Sequence, residues 1–337
     1  MSTAKPNLDF APIRTMLVES ISSKVLMSAV DLAVFDHLEK PSTATALAEK
    51  LGAVPELLES ILDLLVAISL LNKVDGTYQN SPMASEFLVS TAPFYQGDHM
   101  RLTMSFNDII ENSITNLVTG KKAAHTDAAK KWSVAKAMEG CAQNAKGCGL
   151  ASTIEFITSL PDFKNFKTMC DIGGNHGLYS MAVLDQNKNM NAMLFDLPPV
   201  AAQAQKRCDE AGYADRLTTY GIDFKKDRLP AEQFDLVFTS HVLYAFKNML
   251  PETLGKISDG LHSGGWFVSH HYTGREEQGQ EKMKASLEVL TRLSGHPSHF
   301  IEKDELVGLL ESLNFTDIRC QPVANDGTGL MVAARKQ

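Results

Sequence analysis

The sequence predicts an α/β protein: a seven-stranded, mostly parallel sheet with helices on both faces in the C-terminal half, preceded by a mainly α-helical N-terminal domain. Three observations predict it. Strand-like runs recur at 167–172, 191–196, 217–222, 234–239, 264–270, 315–322 and 328–335, and helical stretches separate the first five. The first run closes in Asp171-Ile172 and opens into the glycine loop GGNHG, and the second closes in Asp196. A strand, a glycine loop, a helix and a second strand ending in a carboxylate form a unit that holds a nucleoside. Finally, only Asn325-Asp326-Gly327 separates the last two runs, which reads as a hairpin and makes one terminal strand antiparallel.

The 337 residues suit more than one domain. We divide them into a helical domain over 1–110, a helical connector over 111–165 that contributes to a substrate pocket, and the sheet domain over 166–337. The formal net charge of −8 argues against nucleic acid as the main partner. The five cysteines are scattered, with no CxxC pair or metal spacing, as expected of free thiols in a reducing compartment. The N-terminus has no apolar signal core, and no segment reaches the roughly 18 apolar residues of a membrane span. A cytoplasmic protein without membrane contact is expected.

Taken in order, Arg14 to Leu38 reads as one amphipathic helix, with Met16, Leu17, Ile21, Val25, Ala29 and Val30 at helical spacing. TATALAEKLG is a short helix with a threonine or serine cap and a terminating Gly52. Pro55 opens the next, PELLESILDLLVAISLL. Asp75-Gly76 between strand-like residues signals a hairpin. Two helices and a hairpin make a winged helix. Glu56, Glu59 and Asp63 on its would-be recognition helix would repel phosphate, so a packing or dimerisation module is the better reading. The apolar content of 57–71 exceeds one helical face and points to a second chain. Residues from Tyr95 to Leu160 are mostly helical, with a loop at Gly120-Lys121-Lys122-Ala123-Ala124 and a long helix joining the halves.

The glycine loop is neither GxGxxG nor followed by a phosphate-binding lysine, so a cofactor without phosphates fits better. Glycines let a backbone approach a ligand closely. Asp196 can accept both ribose hydroxyl protons. Asp223-Phe224, after the third run, offers a carboxylate for an adenine amine and an aromatic face beside it.

Residues 168–335 resemble a class I S-adenosylmethionine-dependent methyltransferase with a Rossmann-like sheet. The whole chain is similar to the dimeric small-molecule O-methyltransferases of plant phenolic, hydroxyindole and bacterial natural-product type. The matching pieces are CDIGGNHG for DVGGGxG, FDLPPV for FDLP, GIDF for GDxF, FDLVFTSHVLYAF and LHSGGWFV; LAEKLG and DGTY match the N-terminal dimerisation domain. The resemblance implies S-adenosyl-L-methionine as cofactor, a homodimer and a small-molecule methyl acceptor. It implies cofactor contacts from Asp171, Gly173, Gly174, Gly177, Asp196, Leu197, Asp223, Phe224 and Ser240.

The departures bear on the chemistry. The family commonly writes the end of the fourth strand as K-W-I-L-H-D-W, with the histidine as general base. Here the counterpart runs Ser240-His241-Val242-Leu243-Tyr244-Ala245-Phe246, so Tyr244 replaces the histidine. The later segment that carries an orienting glutamate in the family reads Gly295-His296-Pro297-Ser298-His299-Phe300. Tyrosine, with an ordinary pKa of about 10, is a poor base near neutral pH. We therefore expect Tyr244 as a hydrogen-bonding or orienting group and His241 or His271 as another base. His270, Arg292, His296 and His299 are expected at the substrate. A base-independent nucleophile such as a thioether would also suit; oxygen, sulfur and carbon acceptors stay open. No metal is expected, because the histidines lack zinc spacing. The alternative is a non-catalytic cofactor-binding or regulatory protein whose winged helix touches a partner or DNA.

Overall fold

The computed structural model describes residues 5, 7–121, 128–275, 278–323 and 328–337. It forms two compact units, residues 1–101 and 102–337. The helical stretch 111–165 therefore folds with the sheet.

The first unit holds α1 (Ala11–Asp31), α2 (Val34–His37), α3 (Ala44–Leu51), α4 (Pro55–Ala67), the hairpin β1 (Leu71–Val74) and β2 (Thr77–Asn80), and α5 (Pro82–Phe87). The single helix expected over 14–38 is broken. Ala33 adopts a left-handed conformation, and the amides of Leu32 and Ala33 bond back to Ser28 and Val30. The apolar spacing runs on across the break, and neither glycine nor proline marks it. Thr43 caps α3 by accepting from the Ala46 amide, and Gly52 closes it in the left-handed region. Helix α4 ends at Ala67, short of the expected Leu71, because Ser69 turns left-handed and Leu71 starts the hairpin. Asp75 and Gly76 both have positive φ, as a two-residue turn of this hairpin requires. Asp63 is tied to Lys73 at 2.7 Å and to the Tyr78 hydroxyl at 2.7 Å, so the acids of α4 serve their own unit.

Helix α6 (Gly97–Ser105) spans the division between the units. The second unit continues with α7 (Asn107–Val118), α8 (Ala128–Trp132), α9 (Ala135–Cys148) and α10 (Leu150–Thr158). In place of the long helix expected to join the halves, the chain crosses the division in the short α6, and the later helical stretch is itself interrupted at Gly149, between α9 and α10. Of the loop expected at 120–124, Gly120 and Lys121 form a turn and the remainder lies outside the described residues.

The sheet follows: β3 (Thr168–Ile172), α11 (Leu178–Gln186), β4 (Asn191–Asp196), α12 (Pro198–Glu210), β5 (Leu217–Gly221), β6 (Phe234–Ser240), α13 (Leu250–Gly260), β7 (Leu261–Tyr272), α14 (Glu281–Leu293), α15 (Lys303–Ser312), β8 (Phe315–Val323) and β9 (Gly329–Lys336). Their order is β5-β4-β3-β6-β7-β9-β8, parallel except that β9 runs antiparallel to both its neighbours. The expected turn at 325–327 lies outside the described residues. One expected helix is absent: residues 222–233 link β5 to β6 through turns alone.

Period-two alternation divides the core. Trp266, Val268, Met331 and Ala333 pack with α10, α11 and α12 on one face. Phe267, Leu330, Val332 and Ala334 pack with α13 and α15 on the other.

Candidate active site

The chain lays down β3, β4 and β5 in one direction and then returns to place β6 beside β3. Ligands of open α/β sheets bind outside the strand C-termini at such a switch point. Two groups of side chains converge there.

The first surrounds the loop after β3. Gly173 has φ +68°, and its amide donates to the Phe195 carbonyl at 2.7 Å. A Cβ at Gly173 would lie 2.6 Å from Val242, and one at Gly174 would lie 2.7 Å from both Asp171 and Leu194. Gly177 opens α11, with Cys208 filling the space of its missing Cβ. The bare sides of these glycines thus face protein, so close packing within the loop is itself a reason for glycine at these positions. Asp171 is buried beneath the loop, accepting from the Ser180 hydroxyl at 2.6 Å, and burial pushes its carboxyl up to about 7. It supports the loop rather than lining it.

Asp196 ends β4 with both oxygens engaged by backbone. The Leu197 amide donates to one at 2.7 Å and the Asn175 amide to the other at 3.0 Å. Burial lifts its pKa to about 6 against those two hydrogen bonds. Each oxygen keeps accepting capacity, which suits ribose hydroxyls. Beside it, the Asn175 side-chain oxygen is buried with no hydrogen-bond partner among the described residues. These groups fit a nucleoside. Asp223 caps its own turn, accepting from the Lys225 amide, and its side chain is 35% exposed. Phe224 departs from expectation. Its ring packs edge-on against Phe246 and is only 5% exposed, so it supports the strand end from within the core.

The second group is a run of rings at the ends of β6 and β7. The His241 ring lies 4.3 Å from that of His270 and 4.5 Å from that of Tyr272. Tyr272 approaches His299 at 5.4 Å, and His299 stacks on Tyr244 at 4.1 Å with 18° between planes. His296 meets Tyr244 edge-on at 5.1 Å. His241 sits in the left-handed region, and its amide donates to the His270 carbonyl at 2.8 Å. Ser240 is drawn into this group, 3.3 Å from His270 Nδ1.

Burial lowers every imidazole of this run that has a resolved shift. Burial, followed by the neighbouring His241 and His271, drives His270 well below its ordinary value. Burial takes His299 down to about 3 and also lowers His296. The Tyr244 phenol is pushed the other way, up to about 12, by burial and then by Cys141. His271 does not join the run. It alternates with His270 and Tyr272 onto the opposite face, where Nδ1 meets the Ser269 hydroxyl at 2.8 Å. A catalytic role for it therefore loses its geometric basis. Arg292 is likewise committed elsewhere, donating from Nε to Glu288 at 2.8 Å.

Glu288 is the residue the sequence reading missed. It is 5% exposed and accepts from the Ser298 hydroxyl at 3.0 Å and the His299 amide at 3.1 Å, besides Arg292 and Arg275. Burial alone would raise its carboxyl, but these partners hold it below the usual range. Thr291 adds a contact to His299 Nδ1 at 2.9 Å. The signal was available: Lys284, Glu288 and Thr291 are buried at the spacing of one helical face. His176 of the glycine loop was also missed; it is buried and accepts from the Leu178 amide. Met138 is buried in the sheet unit's core, and Met100 packs against the core of the first unit, so neither is specific to a pocket. Among the described residues, no three histidines, cysteines or acids gather as a metal would need. No helix among them is long and apolar enough to cross a membrane.

Comparison with known proteins agrees with this arrangement. Residues 15–90 match the O-methyltransferase dimerisation domain, and residues 123–307 match the O-methyltransferase domain. The N,N-dimethyltransferase OxyT of Streptomyces rimosus is 30% identical over 279 residues, covering 79% of this chain and 80% of its own. The tetracenomycin polyketide synthesis 8-O-methyl transferase TcmO of Streptomyces glaucescens is 26% identical, covering 91% of each. In fold, human N-acetylserotonin methyltransferase in complex with its methyl donor superposes with a TM-score of 0.75 at 20% identity, over 100% of this chain and 99% of that one. An O-methyltransferase family protein from Burkholderia thailandensis gives 0.80 at 16% identity, over 98% and 99%. The matched segments fall in both compact units, and the chain belongs to the S-adenosylmethionine-dependent O-methyltransferase family of small-molecule methyltransferases.

Proposed function

We propose that this enzyme methylates a small acceptor without a histidine base. One observation carries the reading: Tyr244 stands where a base is expected, stacked on His299 and edge-on to His296, and burial lowers the imidazoles of the ring run that have resolved shifts, which makes them weaker bases. Bound S-adenosylmethionine supplies a methyl group on a sulfonium. Asp196 and the Asn175 side chain hold its ribose, and Asp171 keeps the loop in shape from below. Tyr244, fixed between His296 and His299, stays a neutral phenol that orients the acceptor by hydrogen bonding. The nucleophile is then either one that carries no proton, such as a thioether, or a hydroxyl deprotonated outside the ring run.

The pairing with a second copy is assigned to the first unit, where Phe10, Ile13, Met16, Leu17 and Ile21 are exposed on or just before α1. Buried free thiols at Cys170 and Cys208 suit a reducing cytoplasm. The regulatory alternative is disfavoured at DNA, since α4 presents carboxylates, two of them, Glu59 and Asp63, paired to Lys73.

Titration with S-adenosylhomocysteine tests the donor half, and absence of binding would sink it. A pH–rate profile tests the rest. A rate that collapses as pH falls through about 6.5, the ordinary histidine value, would contradict a reaction without histidine base.

A further inference from the structure

Tyr244 is carried by the 3-10 helix Leu243–Met249, seven residues long. Such a helix has three residues per turn, so side chains at i and i+3 stand one above the other. Leu243 and Phe246 form one edge and are buried in the core. Tyr244 and Lys247 form the next edge, and both reach the loop before α15. The Tyr244 ring stacks on His299 at 4.1 Å, and Lys247 Nζ donates to the carbonyl of the following residue, Phe300, at 2.8 Å. The same ammonium pairs with Glu305, in the first turn of α15, at 2.8 Å. Among the described residues, the other hydrogen bonds that reach 298–301 from outside the loop come from α14 and β7. Glu288 accepts from Ser298 and His299, Thr291 meets His299, and the Ile301 amide donates to the Tyr272 carbonyl. Those bonds fix the loop. Lys247 fixes the loop to the element that bears Tyr244.

We propose that Lys247 is a positioning residue for methyl transfer: it holds the Tyr244 phenol in place against His299, so that the phenol can orient the acceptor. This rests on the methyl-transfer reading and adds to it the group that sets the place of its tyrosine. A 3-10 run beyond three or four residues is uncommon, because its hydrogen bonds are poorly aligned. Seven residues therefore need support from outside the helix. A stacked ring pair prefers an offset, which by itself leaves the rings room to slide. A charge-assisted bond to the backbone one residue further on is short and directional, and it removes that freedom. Glu305 matches the charge of the ammonium, so Lys247 acts through its position.

The test is nuclear magnetic resonance of the full chain with carbon-13 in its histidine rings, at about pH 8, where imidazoles are neutral. The His299 ring resonance, assigned by its loss in His299→Gln, is expected upfield under the Tyr244 ring, and Tyr244→Leu should release it. Lys247→Met should give at least half of that release. Lys247→Arg, which can still donate to the Phe300 carbonyl and to Glu305, should stay near the wild-type position. Both Lys247 variants should bind S-adenosylhomocysteine within about threefold of wild type, since Lys247 shares no partner with Asp196. A role confined to stability would lower the unfolding temperature and leave the His299 resonance in place. That unmoved resonance in Lys247→Met, or equal release in both variants, overturns the proposal. Should Lys247→Met not fold, Glu305→Ala decides, because it removes one of the two anchors of the ammonium. A shift toward the Tyr244→Leu position then supports the proposal, and an unmoved resonance overturns it. Failure of the wild type to bind S-adenosylhomocysteine would instead overturn the methyl-transfer reading, whatever the His299 resonance shows.

Discussion

The two halves of the site are built on opposite plans. The donor half lies within one continuous stretch, β3 through β4, and its hydrogen bonds join backbone amides to the carboxylate of Asp196. The proposed acceptor half draws Tyr244, His270 and the pair His296 and His299 from three separate segments and holds them by ring contacts and one buried carboxylate, Glu288. A half made of adjacent backbone can be written as a motif. A half made of distant side chains cannot, and it is the half free to change chemistry.

Removing the donor carboxylate should have the largest effect. In Asp196→Ala two ribose hydroxyls lose their acceptor, at roughly 1–3 kcal/mol each, and the affinity for S-adenosylhomocysteine should fall by about thirtyfold to about ten-thousandfold. Calorimetric titration reads this. A tenfold loss or less would mean that the donor half does not depend on Asp196 as described.

Glu288→Ala should separate the halves. It strands the Ser298 hydroxyl, the His299 amide and Arg292, and should lower folding stability by about 1–3 kcal/mol. S-adenosylhomocysteine affinity should stay within about threefold, because no partner is shared with Asp196. A matching loss of donor affinity would show that the two halves are one cooperative structure.

The buried acids and the buried histidines should also respond oppositely to acid. Carboxyls raised in the fold, Asp171 to about 7 and Asp196 to about 6, bind protons more readily folded than unfolded. Their stabilisation is present below about 3.8 and is lost as pH rises toward those values. Histidines depressed in the fold, His271 and His299 to about 3, do the reverse. Their contribution is unimpaired above about 6.5 and is lost as pH falls from there toward 3. With His176 also at about 3 and His270 well down, the histidines outweigh the two acids. Thermal unfolding should therefore weaken between pH 6.5 and 5, and His299→Gln should flatten that slope. An unchanged slope would remove His299 from the explanation.

The smallest effect is expected at Gly174→Ala. The new Cβ would press on Asp171 and Leu194, costing about 1–3 kcal/mol of stability by overpacking, with the acceptor half untouched. Stability equal to wild type would mean that the loop has room the structure does not show.

This contrast also explains what the sequence made legible. The seven strand runs, the antiparallel last strand and the place of Asp196 at a strand end follow from local pattern, because alternation and glycine loops are local signals, whereas the order of the strands in the sheet is not written locally. The break at Ala33 escaped, since no residue there announces a left-handed turn. The absent helix between β5 and β6 escaped too, for Asp223 and Asp227 close turns through their own side chains. His270 and His271 are neighbours in sequence and strangers in space, which only strand register decides. Glu288 lies a helix away from the loop it holds, so a search of the loop itself could not find it.

The notch at Gly173, filled by Val242, has a consequence for how such an enzyme can diversify. Val242 sits between His241 and Tyr244, two positions of the proposed acceptor wall, yet its own side chain packs at Gly173 of the glycine loop. Side chains on either side of it can be exchanged to suit a new acceptor while that key keeps the turn in register with the methyl group. A library that varies 241 and 244 but spares 242 should retain far more donor-competent members than one that varies all three.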